Sequence, residues 1–440
     1  MPHKEPGAGT AVMAMAQQAQ PHRVTRLLKV LGPGLITGAS DDDPSGIGTY
    51  SVTGAQFGYA LLWTAPWCFP LMASVQYICA KVGMVSGRGL AGVLRHHYPR
   101  WVLYPAIFLL VVANTINAGA DIGAVAAAIN LLVPIPIAWM IVPIAVLILV
   151  LQVLGSYKLI AGTFKWLCLA LFAYIGAGIL ARPDPGEVLR ATIIPSIQFD
   201  AGFATTLVAI LGTTISPYLF FWQASSEVEE EIQLGRHSHW SRVGATDREL
   251  KYRAWDVNIG MGIAIVVMYF IMLATGATLN KAGLTNIQSA SDAAVALRPL
   301  AGDLAGLLLA VGLIGTGVLT IPILTGSAAY AICESLGWRY GLDEKPARAV
   351  QFYAVIAAAT LVGMGINFLG INPIDALFYT AVINGLLAPP LLVLIMLISN
   401  DRKIMGERTN NRWINVMGWA ATAVMTAAAI VLVVSWLTGA

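Results

Sequence analysis

Charged residues are scarce in this chain of 440 residues. They make up 11% of it, against about 25% in a typical soluble domain, while hydrophobic residues make up 57%. This balance excludes a soluble globular fold and predicts an all-α polytopic membrane protein surrounded by a lipid bilayer. The net charge of +3 is small, so no nucleic-acid partner is expected. The sequence leaves the oligomeric state open.

Cysteine is also sparse, and its pattern excludes most thiol chemistry. The four cysteines stand singly in apolar segments without a C-x-x-C pair, which predicts buried free thiols rather than disulfides or a thiolate metal site. They are Cys68, Cys79, Cys168 and Cys333. The sequence has no nucleophile–base pair, phosphate-binding loop or redox motif. We therefore expect neither an enzyme nor a bound cofactor, and a non-transporting sensor is disfavoured too.

Histidine is missing from the apolar segments. All six histidines fall in the N-terminal region or in loops predicted on the inner side: His3, His22, His96, His97, His237 and His239. The most charged segment, 227–251, mixes histidine and glutamate without zinc-ligand spacing. We expect this segment to be a solvated cytoplasmic loop.

Apolar segments of about 20 residues predict eleven membrane-spanning helices. They lie near 27–57, 60–84, 101–131, 136–154, 163–181, 202–226, 253–279, 302–334, 347–367, 374–399 and 413–437. Residues 1–26 lack the basic-then-apolar pattern of a cleavable signal. They are predicted to form a flexible cytoplasmic tail, and residues 401–440 a loop followed by the eleventh helix.

The distribution of basic residues predicts the orientation. With the N-terminus inside, only four of the 26 lysines and arginines fall in outer loops: Arg182, Arg190, Lys281 and Arg298. A strong excess of basic residues on one side is typical of the cytoplasmic side. The predicted location is the bacterial inner membrane, with a cytoplasmic N-terminus.

The first span contains three consecutive carboxylates, Asp41, Asp42 and Asp43, followed by Pro44. A charged side chain near the bilayer centre costs about 3 kcal/mol or more, and proline disfavours helix in the residue before it. Broken backbone at membrane depth is tolerated only where it lines a cavity. We therefore predict a helix break at Asp43–Pro44 that holds a cation or another substrate. Adjacent helical residues point about 100° apart, so either Asp41 or Asp42 is expected to face the vestibule or to be neutral.

A second break is predicted in the sixth span, where Pro217 follows Ser216. Interrupted helices in corresponding positions of two halves indicate a transporter binding site. Hydroxyls of Thr213, Ser216 and Tyr218 would complete an all-oxygen ligand set with the carboxylates, which suits Mg²⁺, Ca²⁺ or Mn²⁺. For Thr214 a bond to its own helix backbone is favoured, and for Ser216 both interpretations stay open.

These residues resemble the Nramp family of divalent metal transporters. The resemblance runs from about residue 29 to 438 and rests on G-P-G-L-I-T-G, the D-P pair, A-Q-F-G, S-P-Y at the second break, and the helix count. It implies a transporter core over 27–400 built from five-plus-five inverted repeats, about 27–181 and 202–399, with discontinuous helices 1 and 6. It also implies transport by alternating access.

Departures from the family pattern bear on the cargo. The family has D-P-G-N where this chain has Asp43-Pro44-Ser45-Gly46, so the asparagine ligand is lost at Gly46. The family's M-P-H is replaced by Ser216-Pro217-Tyr218, and its D-x-x-E in the third span corresponds to Ala118 and Asp121. The chain thus resembles the magnesium-transporting branch, which lacks the methionine and the proton coupling, although that branch keeps more of the first motif.

The sequence therefore predicts a carrier of Mg²⁺ or Mn²⁺ without proton coupling, in which Asp43 and Ser216 are the leading ligands. Glycine at position 46 would widen the site for a partly hydrated ion. The alternative is a carrier of the same fold that moves a small organic cation or zwitterion. Asp121, Thr380 and Asn384 are weaker candidates for the cavity or a proton relay. Asn114 and Asn117 are further candidates to line the cavity. Interhelical hydrogen bonds explain Asn114, Asn117, Thr380 and Asn384 equally well.

Overall fold

The computed structural model describes residues 32–154, 169–198, 200–342 and 344–438. The predicted tail, 1–26, lies outside these residues. The described residues that fold regularly are helical. Nine helical segments among them, one of which is the divided segment Ala201–Gln233, are long and apolar enough to cross a membrane. The prediction of an all-α polytopic membrane protein is confirmed.

The first half of the chain begins with two short helices, which are followed by both long and short ones. They are α1 (Pro33–Asp41), α2 (Pro44–Phe57), α3 (Thr64–Ser86), α4 (Leu90–His97), α5 (Arg100–Leu132), α6 (Ile137–Leu154), α7 (Ala173–Leu180) and α8 (Pro185–Ile193). A 3-10 turn, Leu169–Phe172, precedes α7. The predicted first span is therefore present as two separate helices, and the fifth is described only from residue 169.

The second half repeats the pattern of a split helix followed by long helices. It comprises α9 (Ala201–Thr214), α10 (Pro217–Gln233), α11 (Asp247–Thr275), α12 (Ala305–Leu336), α13 (Val350–Ile366), α14 (Pro373–Asn400) and α15 (Arg412–Thr438). Shorter helical turns connect them: His239–Arg242, Gly276–Asn280, Ala290–Ala294, Val295–Leu297, Arg298–Ala301, Gly302–Leu304, Asn367–Leu369 and Arg402–Met405. The predicted spans agree with these helices to within a few residues, except around 227–251.

The split helices lie inside a frame made by the long ones. α5 packs along α12, α13 and α14, while α1 and α2 pack on α11, and α9 packs on α14. Cys68, Cys79 and Cys333 are buried and free, as predicted, and Cys168 lies outside the described residues. This frame surrounds both helix breaks with protein.

Glycines allow α1 to approach α11 backbone to backbone. A Cβ atom built on Gly38 would lie 2.3 Å from the carbonyl carbon of Gly260, and one built on Gly260 would lie 2.3 Å from the carbonyl oxygen of Gly34. Such distances leave no room for any side chain, because the neighbouring atoms are backbone. This close approach sets the short distance between the backbones of α1 and α11.

We expect Gly38→Ala to destabilise the protein by about 1–3 kcal/mol, the range typical of overpacking. The measurement is the thermal unfolding temperature of the purified protein in detergent. Gly365→Ala is the matched control, because it also lies in a helix and its Cβ would meet nothing within 4 Å. Equal unfolding temperatures for the two variants would contradict the packing argument.

Candidate cation site at the two helix breaks

The first break lies where three carboxylates meet a proline. α1 ends at Asp41 and α2 begins at Pro44, so Asp42 and Asp43 connect the two helices. Asp43 has extended backbone (φ −67°, ψ 170°) and is the N-cap of α2. Proline at the first helical position suits this geometry because its missing N–H has no helical partner to lose. The predicted break at Asp43–Pro44 is confirmed.

The Asp43 carboxylate is held by three donors. Its Oδ1 accepts hydrogen bonds from the Ser45 hydroxyl at 2.7 Å and from the Gly46 backbone N–H at 2.6 Å. Its Oδ2 accepts one from the Asn117 amide of α5 at 3.0 Å. These bonds fix the carboxylate while leaving lone pairs on Oδ2 for a further partner.

The second break has the same form. α9 ends at Thr214 and α10 begins at Pro217, with Ser216 in extended conformation as the N-cap. The Ser216 hydroxyl donates to the carbonyl oxygens of Gly212 at 2.8 Å and Thr213 at 2.6 Å. Its proton is therefore engaged by α9, and only its lone pairs can face a cation.

Contacts between the breaks bring the two split helices together. The hydroxyls of Ser45 and Thr213 lie 3.4 Å apart, and the Tyr218 hydroxyl donates to the Ser40 carbonyl at 2.7 Å. Gly46 lies at the same point, since a Cβ atom there would be 3.3 Å from the Thr213 hydroxyl oxygen. The C-terminal end of α1 thus lies beside the start of α10, and the C-terminal end of α9 beside the start of α2. Helix C-termini carry partial negative charge that favours cations.

A third side of the site comes from α5. Asn117 and Asp121 are four residues apart and so share one face of that helix. The Asn117 amide donates to Asp43. The Asp121 side chain is 0% exposed. Sequence reasoning ranked Asn117 and Asn114 equally, although the four-residue spacing between Asn117 and Asp121 was a signal that favours Asn117.

The buried carboxylates are poorly compensated. Asp41, Asp42, Asp43 and Asp121 are each at most 3% exposed. One oxygen each of Asp41 and Asp42, and both oxygens of Asp121, make no hydrogen bond. Among the described residues none of the four forms an ion pair with lysine or arginine. Negative charge without a protein counter-charge is the electrostatic condition that a bound cation would satisfy.

Carboxylates alone do not form a metal cage here. In the part of the chain that the structure describes, no three acidic, histidine or cysteine side chains converge as metal ligands. A cation at the breaks would need a mixed set of carboxylate, hydroxyl, amide and carbonyl oxygens.

Thr380, Asn384 and Thr214 make no hydrogen bond to the residues of the first break in the described part of the chain, apart from the contact of Thr214 with Tyr50 within α2. The Thr380 hydroxyl donates to its own helix, to the carbonyls of Ala376 and Leu377. Asn384 is 2% exposed, and its amide nitrogen has no partner. The Thr214 hydroxyl donates to the Ile210 carbonyl at 2.6 Å, which agrees with the backbone interpretation.

The segment 227–251 differs from the expected solvated loop. Its start belongs to α10, which continues to Gln233, and its end belongs to α11. Glu227 is 1% exposed because Arg253 of α11 pairs with it at 2.7 Å, and Arg253 also pairs with Asp256 at 2.7 Å and with Glu230. Mutual neutralisation lets these charges be buried and lets both helices continue.

This charged cluster is tied to the first half-helix of the site. The backbone N–H of Gly34 donates to Asp256 at 2.8 Å, and the Thr37 hydroxyl donates to the Gln223 side chain at 2.6 Å. Gln223 in turn donates to Glu227 at 2.7 Å. We call the set Gln223, Glu227, Glu230, Arg253 and Asp256 the α10–α11 charge cluster.

Comparison with known proteins agrees with this arrangement. The family model described as natural resistance-associated macrophage protein-like matches residues 34–435, which include both breaks. The chain belongs to the Nramp family. The resemblance drawn from the D-P and S-P-Y motifs is thereby confirmed at family level, and the expectation of a transporter rather than an enzyme is confirmed with it.

Relatives of the Nramp chain match it over nearly its whole length. A protein named divalent metal cation transporter MntH from Klebsiella pneumoniae is 28% identical over 407 residues, which cover 90% of this chain and 92% of the relative. The protein of the same name from Deinococcus radiodurans is 26% identical over 415 residues, which cover 93% of this chain and 90% of the relative.

Solved structures share the fold. The manganese transporter of Eremococcus coleocola, solved with an aromatic bis-isothiourea compound, has a TM-score of 0.72 at 22% identity and covers 95% of this chain and 88% of its own. Mhp1, a nucleobase-cation-symport-1 transporter, has a TM-score of 0.58 at 13% identity, with 91% of each chain covered. At these identities the likeness concerns the fold alone.

Proposed function

We propose that this Nramp protein carries a divalent cation, Mn²⁺ or Mg²⁺, across the membrane by alternating access without coupling to protons. The observation that carries the proposal is a group of four buried carboxylates, three at the first helix break and one on α5, which contacts that break through Asn117. In the described residues no lysine or arginine is paired with them. The names of the two bacterial relatives, divalent metal cation transporters, support the same class of cargo.

The ligand chemistry favours hard cations. Asp43 would bind the ion directly, Ser216 and Thr213 would offer hydroxyl oxygens, and the unwound carbonyls near Gly46 would complete the set. Tyr218 and Ser40 would close the site, because their hydrogen bond joins the two split helices. Oxygen ligands of this kind suit Mg²⁺ and Mn²⁺ better than soft metals, which favours the magnesium-like branch of the family. Pro44 and Pro217 begin the second half-helices and so keep both helix breaks in place.

Inward transport of the divalent cation needs no coupled proton if the membrane potential drives it. Each positive charge that crosses 100 mV gains about 2.3 kcal/mol, so a divalent ion gains about twice that. A chain of proton carriers is hard to build because Asp121 has Ala118, rather than an acid, three residues before it and no histidine lies in an apolar span. We place the protein in a bacterial inner membrane with its N-terminus in the cytoplasm, and we infer inverted repeats over 27–181 and 202–399.

The organic cation or zwitterion is the competing cargo. Loss of the family's asparagine, methionine and histidine ligands favours it. The Tyr218 hydroxyl counts against it, since a hydroxyl that already donates to Ser40 is less free to recognise a polar organic group. Thermal-shift screening of amines and amino acids beside metal chlorides separates the two, and stabilisation by amines alone would favour the competitor.

The direct test is uptake by proteoliposomes containing the purified protein. We expect Mn²⁺ and Mg²⁺ to enter when a potassium diffusion potential makes the interior negative, with no acidification of an entrapped pH indicator. Protein-free liposomes are the control. Acidification that depends on Mn²⁺ would contradict uncoupled transport, and absence of uptake of either ion would sink the proposed function.

A further inference from the structure

Asn117 has an amide oxygen that the folded protein leaves unused. Asn117 is 0% exposed, and its Oδ1 makes no hydrogen bond. Its Nδ2 donates to Asp43 Oδ2 at 3.0 Å. A buried amide oxygen without a partner is unfavourable, so its persistence beside the first helix break calls for a partner that this chain does not supply.

The orientation of this amide is set by its neighbour. The reversed orientation would place the amide oxygen against the Asp43 carboxylate oxygen, where two acceptors repel each other. Nδ2 therefore faces Asp43, and Oδ1 is presented beside the same carboxylate. An amide oxygen next to a carboxylate oxygen is a ligand pair that hard divalent cations accept.

Position 46 of α2 borders the site on the side opposite α5. Gly46 has ordinary helical backbone, and a Cβ atom there would be 3.3 Å from the Thr213 hydroxyl and 3.4 Å from Asp43 Oδ1. A side chain at position 46 would therefore enter the site from α2. With glycine there, α2 contributes no side-chain ligand.

We propose that Asn117 of α5 supplies the amide-oxygen ligand of the cation site, in place of a side chain at position 46. This inference rests on the proposed function, because it assigns a ligand within the same site. Three elements then hold the ion: the α1–α2 break through Asp43, the α9–α10 break through Ser216, and α5 through Asn117. The amide oxygen adds to the preference for hard cations over soft ones.

The first test is Asn117→Ala, measured as Mn²⁺ uptake into proteoliposomes and as the stabilisation of the detergent-solubilised protein by MnCl₂. We expect the apparent KM and the concentration of Mn²⁺ needed for stabilisation to rise about tenfold or more. Asn114→Ala is the matched control. The Oδ1 of this buried asparagine also lacks a partner, but its amide donates to the Leu324 carbonyl of α12 and not to the Asp43 carboxylate. We expect it to lower the unfolding temperature without changing the KM.

The second test moves the ligand. Adding Gly46→Asn to Asn117→Ala is expected to restore most of the Mn²⁺ affinity, because the amide returns from α2 instead of α5. A residue that only positions Asp43 would not be replaced in this way. An unchanged KM in Asn117→Ala, or a raised KM that Gly46→Asn fails to lower, would overturn the assignment.

The third test changes the ligand's chemistry. Asn117→Cys introduces a soft sulfur of similar size, and we expect Cd²⁺ to compete about tenfold more strongly against Mn²⁺ than in the wild type. This gain is measurable even if Asn117→Ala does not fold. Unchanged Cd²⁺ competition would argue that residue 117 does not touch the ion. Failure of the wild type to take up any divalent ion would instead refute the proposed function, and Mn²⁺ stabilisation would still decide on Asn117.

Discussion

Asp43→Asn is expected to lower Mn²⁺ uptake at least ~100-fold while leaving the fold intact. Two unit charges 4 Å apart attract by about 4 kcal/mol at an effective dielectric constant of 20, and each factor of ten in affinity corresponds to about 1.4 kcal/mol. The loss of one negative charge beside a divalent ion therefore has a large effect. Asparagine keeps the size of aspartate and remains a good N-cap for α2. The measurement is initial uptake by proteoliposomes at matched protein content.

The matched control for this variant is Asp303→Asn. Asp303 is exposed in a turn before α12, so its replacement removes the same charge without touching the helix breaks. We expect wild-type uptake from it. Retained uptake by Asp43→Asn, with an unchanged unfolding temperature, would show that the first break does not bind the cargo.

Arg253→Ala is expected to destabilise the protein by about 3–5 kcal/mol, the cost of leaving buried charges without their partner. Arg253 has 7% of its side chain exposed and pairs with Glu227, Glu230 and Asp256 of the α10–α11 charge cluster. Its removal would leave Glu227, which is 1% exposed, with uncompensated charge. The measurement is thermal unfolding in detergent, followed by size-exclusion chromatography.

Arg248→Ala is the control for this prediction, because Arg248 lies in the same helix and is exposed. Surface substitutions usually change stability by no more than about 0.5 kcal/mol. Adding Glu227→Gln to Arg253→Ala should recover part of the lost stability, since it removes one of the unpaired charges. If the double variant were no more stable than Arg253→Ala, unpaired charge would not be the cause of the loss.

The two helix breaks were predictable from sequence because their cause is local. Proline lacks the N–H that a continuous helix needs, and consecutive carboxylates are too costly to face lipid. Both facts concern neighbouring residues, so Asp43–Pro44 and Ser216–Pro217 could be located without a structure. The spans were predictable for the same reason, since a run of apolar residues of membrane length is visible in the sequence.

The contacts around the breaks were not predictable, because they join residues far apart in the chain. Asn117 and Asp43 are separated by 74 positions. Apart from the four-residue spacing between Asn117 and Asp121, nothing in the sequence indicates that α5 presents Asn117 rather than Asn114 to the break. The segment 227–251 misled for a related reason. Its glutamates indicated solvent exposure, and most residues between 233 and 249 are exposed as expected. Glu227 is instead buried by an arginine that lies 26 residues later, so the expectation of a solvated loop fails at the start of the segment.

The glycine contact between α1 and α11 has a mechanical consequence. Gly38 and Gly260 are in backbone-to-backbone contact. No side chain at this contact would therefore clash with α11 when α1 tilts. Hydrogen bonds then hold α1 at both ends: Gly34 to Asp256 and Thr37 to Gln223 at its start, and Tyr218 to Ser40 at its end. We therefore expect α1 to keep its position while these hydrogen bonds are intact, and to tilt against α11 with little steric resistance once they break.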